Sequence, residues 1–252
     1  MNARNVTGTI HWTGGTLILT NVIAELYNGS GNGSAFFDFG IPEEGADYQF
    51  NANVSKVNLH LLADDLQSPT NHLQGLLSGS VTVTSATTRD WQSVNGFGEA
   101  NLRDGLLWDV PVIGVISPAL NKVVPGLGNS RATDAVAHFT ITNGVIYSDS
   151  LTINSTMMRL QYVGSVDLKQ NVNANVRAQL LRNTPVIGPI ISLLTSPFSK
   201  LFEYKVTGTL KKPKPFPLYV PKELLMPLHP IRSIENLTPS DEFFSGTNSS
   251  AK

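Results

Sequence analysis

The chain has 252 residues, 41% hydrophobic and only 15% charged, with no cysteine and a net charge of −1. This length suits one or two domains with a real core, and the charged fraction is well below the roughly 25% of an average soluble domain. The missing cysteines exclude disulfides, thiolate metal sites and a cysteine nucleophile. The near-neutral balance lacks the basic excess of a nucleic-acid binder, so no nucleic-acid partner is expected.

Charge is unevenly placed, with ten acids against four bases in residues 1–104 and nine against fourteen in residues 105–252. Ordinary fluctuation accounts for such a split, and so does a C-terminal part that meets an anionic surface such as lipid headgroups. The N-terminus shows no apolar signal segment, and no stretch reaches the roughly 18–20 apolar residues of a spanning helix.

Along the chain, apolar and polar residues alternate with period two. The runs are Val6, Gly8, Ile10, Trp12; Leu17, Leu19; Val22, Ala24, Leu26; Gly31, Gly33, Ala35, Phe37, Phe39; and Tyr48, Phe50, Ala52, Val54. Later runs are Leu77 to Val83, Ala135 to Ile141, Leu160 to Leu168 and Val172 to Leu180. Turn signals such as Asn28-Gly29 and Asn143-Gly144 punctuate them, so the pattern predicts successive antiparallel hairpins. A one-residue phase slip at Thr20-Asn21 predicts a bulge or strand break.

Two segments, 107–127 and 184–202, break the alternation. Ile113, Ile116, Leu120 and Val124 share one helical face, as do Ile190, Leu193, Leu194 and Leu201, with Phe198 nearby. Both segments carry Pro-Val-Ile-Gly, and their prolines predict short, broken helices. From residue 213 the chain is proline-rich and is expected to run extended along the body, with a polar tail from Ser245.

The sequence offers little chemistry. Its five histidines lack ligand spacing, so no metal or other cofactor is expected. There is no nucleophile elbow and no phosphate loop, and Gly29-Ser-Gly-Asn-Gly33 keeps the phase of the strand that follows it. Asp64, Asp65, Asp104 and Asp109 would serve a carbohydrate-active enzyme only if the fold gathered them. No catalytic residue is therefore assigned, and a non-enzymatic role is expected. A long sheet with one apolar face must bury that face. It can close into a barrel or sandwich, pack on a partner, or curl into a trough that holds lipid chains.

Residues 96–114, Gly-Phe-Gly-Glu-Ala-Asn-Leu-Arg-Asp-Gly-Leu-Leu-Trp-Asp-Val-Pro-Val-Ile-Gly, resemble the GxGxxxLxxGxLxxxPxx signature of AsmA-like C-terminal regions. Residues 139–146 (FTITNGVI), 160–168 (LQYVGSVDL) and 183–208, with the ending VTGTL, resemble that family's later strands and apolar helix in the family's order. The resemblance covers about residues 90–212, and residues 1–89 resemble the looser upstream repeats.

The resemblance implies an all-β fold, an elongated curved antiparallel sheet forming an apolar trough. Two short apolar helical segments and a proline-rich C-terminal arm from 213 to 252 would complete it. It also implies a non-enzymatic lipid-binding or lipid-conducting module in the periplasm or cell envelope of a diderm bacterium, concerned with phospholipid transport or outer-membrane assembly. The inner-membrane tether would be supplied by a segment absent from this chain. The expected partners are phospholipid or another acyl-chain lipid, and a membrane surface or envelope proteins. A scaffold without lipid cargo is the alternative.

By strand phase, the trough would be lined by Phe37, Phe39, Phe50, Val54, Phe139, Ile141, Val172, Val176 and Leu180. Ile113, Ile116, Leu120, Ile190, Leu193 and Leu194 would face a cap or a membrane. Gly31, Gly33, Ala174 and Ala178 either leave room for a chain or permit sheet twist.

Overall fold

The alternating segments become strands: β1 (Ala3–Thr13), β2 (Thr16–Leu26), β3 (Gly29–Asp38), β4 (Asp47–Asn58), β5 (Gln74–Thr87) and β6 (Asp90–Leu106). They continue as β7 (Ala132–Thr142), β8 (Val145–Ser155), β9 (Met158–Asp167), β10 (Asn171–Leu180), β11 (Lys200–Thr209) and β12 (Lys212–Tyr219). Each pairs antiparallel with its sequence neighbour, in the order β1 to β12. The product is one open, curved, twelve-stranded sheet, the all-β trough expected from the sequence. The computed structural model describes residues 3–40, 45–65, 72–123, 126–181 and 200–220.

Turn chemistry sets the hairpins. Tyr27 and Asn28 (φ 47° and 64°) turn β2 into β3, and Asn143 and Gly144 (φ 51° and 72°) turn β7 into β8. Two successive left-handed residues match the right-handed twist of the flanking strands. The phase slip at Thr20-Asn21 is a bulge: the register against β3 jumps between Leu19 and Val22, and Asn21 has φ 52°. The extra residue restores the apolar phase to one face.

Because every strand returns beside its predecessor, the connections sort into two ends. The odd-to-even connections are turns at one end, apart from the longer link between β3 and β4. The opposite end carries the helices: α1 (Leu59–Asp65), between β4 and β5, and α2 (Pro111–Gly114) and α3 (Ser117–Val123), between β6 and β7. Asn58 caps α1, its Oδ1 accepting from the backbone N–H of His60 (3.0 Å) and of Leu61 (3.3 Å). Pro111 opens α2, where its missing N–H costs nothing.

The cap beyond α2 is braced by polar contacts. Ser117 Oγ donates to the Gly128 carbonyl at 2.8 Å, Gly128 N–H donates to Asn121 Oδ1 at 2.9 Å, and Trp108 Nε1 donates to the Ser130 carbonyl at 2.8 Å.

The helical reading of 107–127 holds as two short helices and a 3-10 turn at Leu127–Asn129. The reading of 184–202 is corrected at its end. Lys200–Thr209 is strand, in register with β10 from Gln179↔Lys200 and Ala178↔Phe202 onwards. Ile190, Leu193, Leu194 and Phe198 lie outside the described residues. The division at 89/90 falls in the hairpin between β5 and β6, inside an unbroken sheet. The proline-rich arm begins as β12, paired to β11; residues 221–252 lie outside the described residues.

The main core sits beneath the cap. Ile113, Ile116, Leu120 and Leu127 pack with Leu102, Ala135, Ile153, Leu160, Tyr162, Val176, Phe202 and Val206. A smaller cluster of Val83, Ala86, Val94 and Ile141 gathers Phe50, Tyr48, Phe139 and Ile146 around it.

Candidate functional site

The register places one apolar residue from every strand in a single lateral row. Ile10 pairs with Leu19, Leu19 with Ala35, Ala35 with Phe50, Phe50 with Val83, and Val83 with Gly96. Gly96 pairs with Ile141, then Ile146, Val166, Val172, Gly208 and Pro213 follow. No polar side chain interrupts the row. At about 4.8 Å between strands it spans roughly 50 Å across the sheet. A flanking row runs Val22, Gly33, Ala52, Val81, Gly98, Phe139. The opposite face is mainly polar, with Asn32, Asn51, Asn53, Asn101, Asn173 and Asn175 exposed among hydroxyls and scattered charges, although Ile18, Ile23, Phe36, Phe97, Tyr147 and Val163 are also exposed on it.

The apolar face is not equally covered along its length. Every residue of β1 is exposed, Ile10 to 71% and Trp12 to 64%, whereas Val176 and Val206 under the cap are 1% and 0% exposed. Phe37, Phe50, Val54 and Phe139 are half-buried on the uncovered part and Phe39 is exposed; Ile141 is buried. All nine residues expected to line the trough share this face. Val172, Val176 and Leu180, however, are buried in the packed core and act there as packing residues. Ile113, Ile116 and Leu120 are buried against the sheet, which makes their helices a cap.

Five aromatic rings step across β1 to β4 at the turn end. Trp12 stacks on Phe39 (5.8 Å between centroids), Phe39 on Phe37 (6.2 Å), Phe37 on Tyr48 (6.0 Å) and Tyr48 on Phe50 (6.4 Å). Offset stacking at these separations adds to simple burial. Trp12 and Tyr48 were visible in the alternating runs, but only the cross-strand register puts them in one ladder.

The small residues are explained by close packing. A Cβ on Gly33 would run into the Asn51 carbonyl oxygen, and Leu26 already fills the space beside Gly31. Ala174 and Ala178 are core residues. Within the 96–114 segment, a Cβ on Gly96 would meet the Thr82 carbonyl and one on Gly98 the Ser80 carbonyl and the Phe139 ring. At these glycines the neighbouring backbone or side chain leaves no room for a Cβ.

Two phenols lie inside the core. Among the described residues the Tyr162 hydroxyl has no hydrogen-bond partner, and burial pushes its pKa far above the ordinary phenol range; burial raises that of Tyr204 as well.

Acidic side chains cluster only loosely. A cavity of about 730 Å³ opens beside α1, lined among others by Arg4, Glu25, Tyr27, Asp64 and Asp65, with the Tyr27 hydroxyl donating to Asp65 Oδ2 at 2.6 Å. Asp109 instead accepts from the backbone N–H of His72 at 2.9 Å. Among the described residues there is no His, Asp or Glu group able to hold a metal ion, and no helix long and apolar enough to cross a membrane. No family model, curated protein or solved structure matches the chain.

Proposed function

We propose that the chain is a non-enzymatic lipid-binding trough, which holds or conducts acyl chains along its apolar face. The observation that carries this reading is the uninterrupted apolar row from Ile10 to Pro213. Its open stretch, Ile10, Leu19, Ala35 and Phe50, presents no polar step to an acyl chain before the row passes into packed core at Val83, Ile141 and Val172, and each buried CH₂ contributes about 0.8 kcal/mol. The uncovered part over β1 to β5 leaves half-buried apolar side chains that a lipid tail would cover. Together with the resemblance to AsmA-like regions, this favours a role in phospholipid transport or outer-membrane assembly within a diderm cell envelope.

Native mass spectrometry with lipid extraction tests the reading. The purified chain should carry phospholipid, and Phe50→Glu, at a half-buried position, should lose most of it while keeping its β-sheet circular dichroism. A folded, lipid-free wild-type chain would overturn it. A scaffold reading draws on β1, whose whole length is exposed at the sheet edge. That edge could accept a partner strand; crosslinking from Thr9 to a second protein, with no lipid released, would favour it.

A further inference from the structure

The two edges of the sheet differ in kind. β1 carries no proline, whereas β12 reads Lys-Pro-Lys-Pro-Phe-Pro-Leu-Tyr, with Pro213, Pro215 and Pro217 opposite Gly208, Val206 and Tyr204. In an antiparallel pair, alternate residues bond inward and outward. The residues between the prolines therefore supply the inward N–H groups, and the prolines occupy the outward positions. That edge has no donor to offer a further strand over these positions, so β-strand addition is blocked there.

The same strand is nevertheless sticky. Phe216, Leu218 and Tyr219 are exposed to 45%, 55% and 51%. On the polar face, Lys212, Lys214 and Lys205 stand exposed beside them, with Lys205 directly across from Phe216. Lys169 and Lys211 extend the patch around the turn end, where Leu210 N–H donates to the Gln170 carbonyl at 2.8 Å and ties the two turns together. Among the described residues none of these five lysines forms an ion pair. The nearby acids are already engaged: Glu203 with Arg177 at 3.2 Å, and Asp167 with the Asn171 backbone and side chain at 2.8 and 2.7 Å.

We infer that the β12 edge, with Lys169, Lys205, Lys211, Lys212 and Lys214 around Phe216 and Tyr219, is a docking surface for a lipid bilayer bearing anionic headgroups. Unpaired ammonium groups on flexible stems beside exposed aromatics suit an interface that is anionic at the surface and apolar beneath. The prolines disfavour a partner strand in the same place. Pro213, the last residue of the apolar row, lies between Lys212 and Lys214 on the same strand, so a bilayer docked here would place the trough's edge strand at the membrane. This last link rests on the lipid-trough reading; the docking itself does not.

Vesicle flotation of the full chain tests it, using phosphatidylcholine vesicles with and without phosphatidylglycerol. Wild type should bind only the anionic vesicles and detach at high salt. The combined variant Lys205→Gln, Lys211→Gln, Lys212→Gln, Lys214→Gln should bind about tenfold more weakly or worse. The matching four-Arg variant should bind as wild type does, which separates charge from folding damage.

Phe50→Glu should lose the extracted lipid yet leave vesicle binding intact; a wild-type chain that floats with anionic vesicles but carries no extractable lipid overturns the trough reading alone. Equal binding to both vesicle types, binding indifferent to the lysine changes, or retention only on a polyanionic peptide or nucleic acid would overturn the bilayer surface.

Discussion

Ile10 and Pro213 stand on the same lateral row at opposite edges of the sheet, one exposed and the other flanked by exposed lysines. Nothing local connects them. Each hairpin fixes only the register of its own two strands, and eleven registers must agree in phase for the row to persist. The bulge at Thr20-Asn21 extends that agreement to the flanking row: without it, Val22, Ala24 and Leu26 would turn their side chains to the polar face.

Gly98→Ala should destabilise the chain by about 1–3 kcal/mol, because the new methyl meets the Ser80 carbonyl and the Phe139 ring and the backbone must shift to admit it. A lower urea midpoint with an unchanged slope is the expected result.

Leu120→Ala should cost about 2–5 kcal/mol, since Leu120 is 1% exposed in the cap and the surrounding sheet residues can collapse only partly into the space. Leu76→Ala, at a 43% exposed position, should change stability by about 0.5 kcal/mol or less. Thermal unfolding of the pair measures the contrast.

Tyr162→Phe should stabilise the chain by about 1 kcal/mol, because it removes a buried hydroxyl that has no partner among the described residues while keeping the ring. The pH dependence has a definite sign. The folded pKa of Tyr162 is raised, so its stabilising preference for the protonated form is fully present below the unfolded value near 10 and is lost progressively as pH climbs towards the folded value. Tyr204 adds to the same slope. Denaturant titrations above pH 10 should therefore show falling stability, with a shallower fall in Tyr162→Phe.

Trp12 and Phe39 should be energetically coupled. Their rings stack at 5.8 Å and 8° although both are largely exposed, so a double-mutant cycle of Trp12→Ala and Phe39→Ala should return about 0.5–1.5 kcal/mol. Trp12 fluorescence should shift red in Phe39→Ala as water reaches the indole face.

The sequence by itself determined the strands, because period two is a local property that each run displays alone: Val172 to Leu180 needs no neighbour to announce one apolar side. It also determined the Asn143-Gly144 turn and the bulge at Thr20-Asn21, which are written in backbone preference and in a broken phase. The short helix α1 was missed; its signal was Asn58 as a cap, a residue that also ends β4.

Tertiary structure alone decided the rest. Phe202 belongs to a segment that fits either a helical stripe or a strand, and pairing with Ala178 resolves it, since β10 offers backbone partners that a helix would leave unused. Val176 and Phe50 have the same local pattern. One is sealed beneath Ile116 and Leu120 and the other remains half open, because the cap covers only the C-terminal strands. The row from Ile10 to Pro213 and the ladder from Trp12 to Phe50 likewise exist only in the register. Periodicity says which side a residue takes within its strand, while hydrogen bonding between distant strands says which residues share a line.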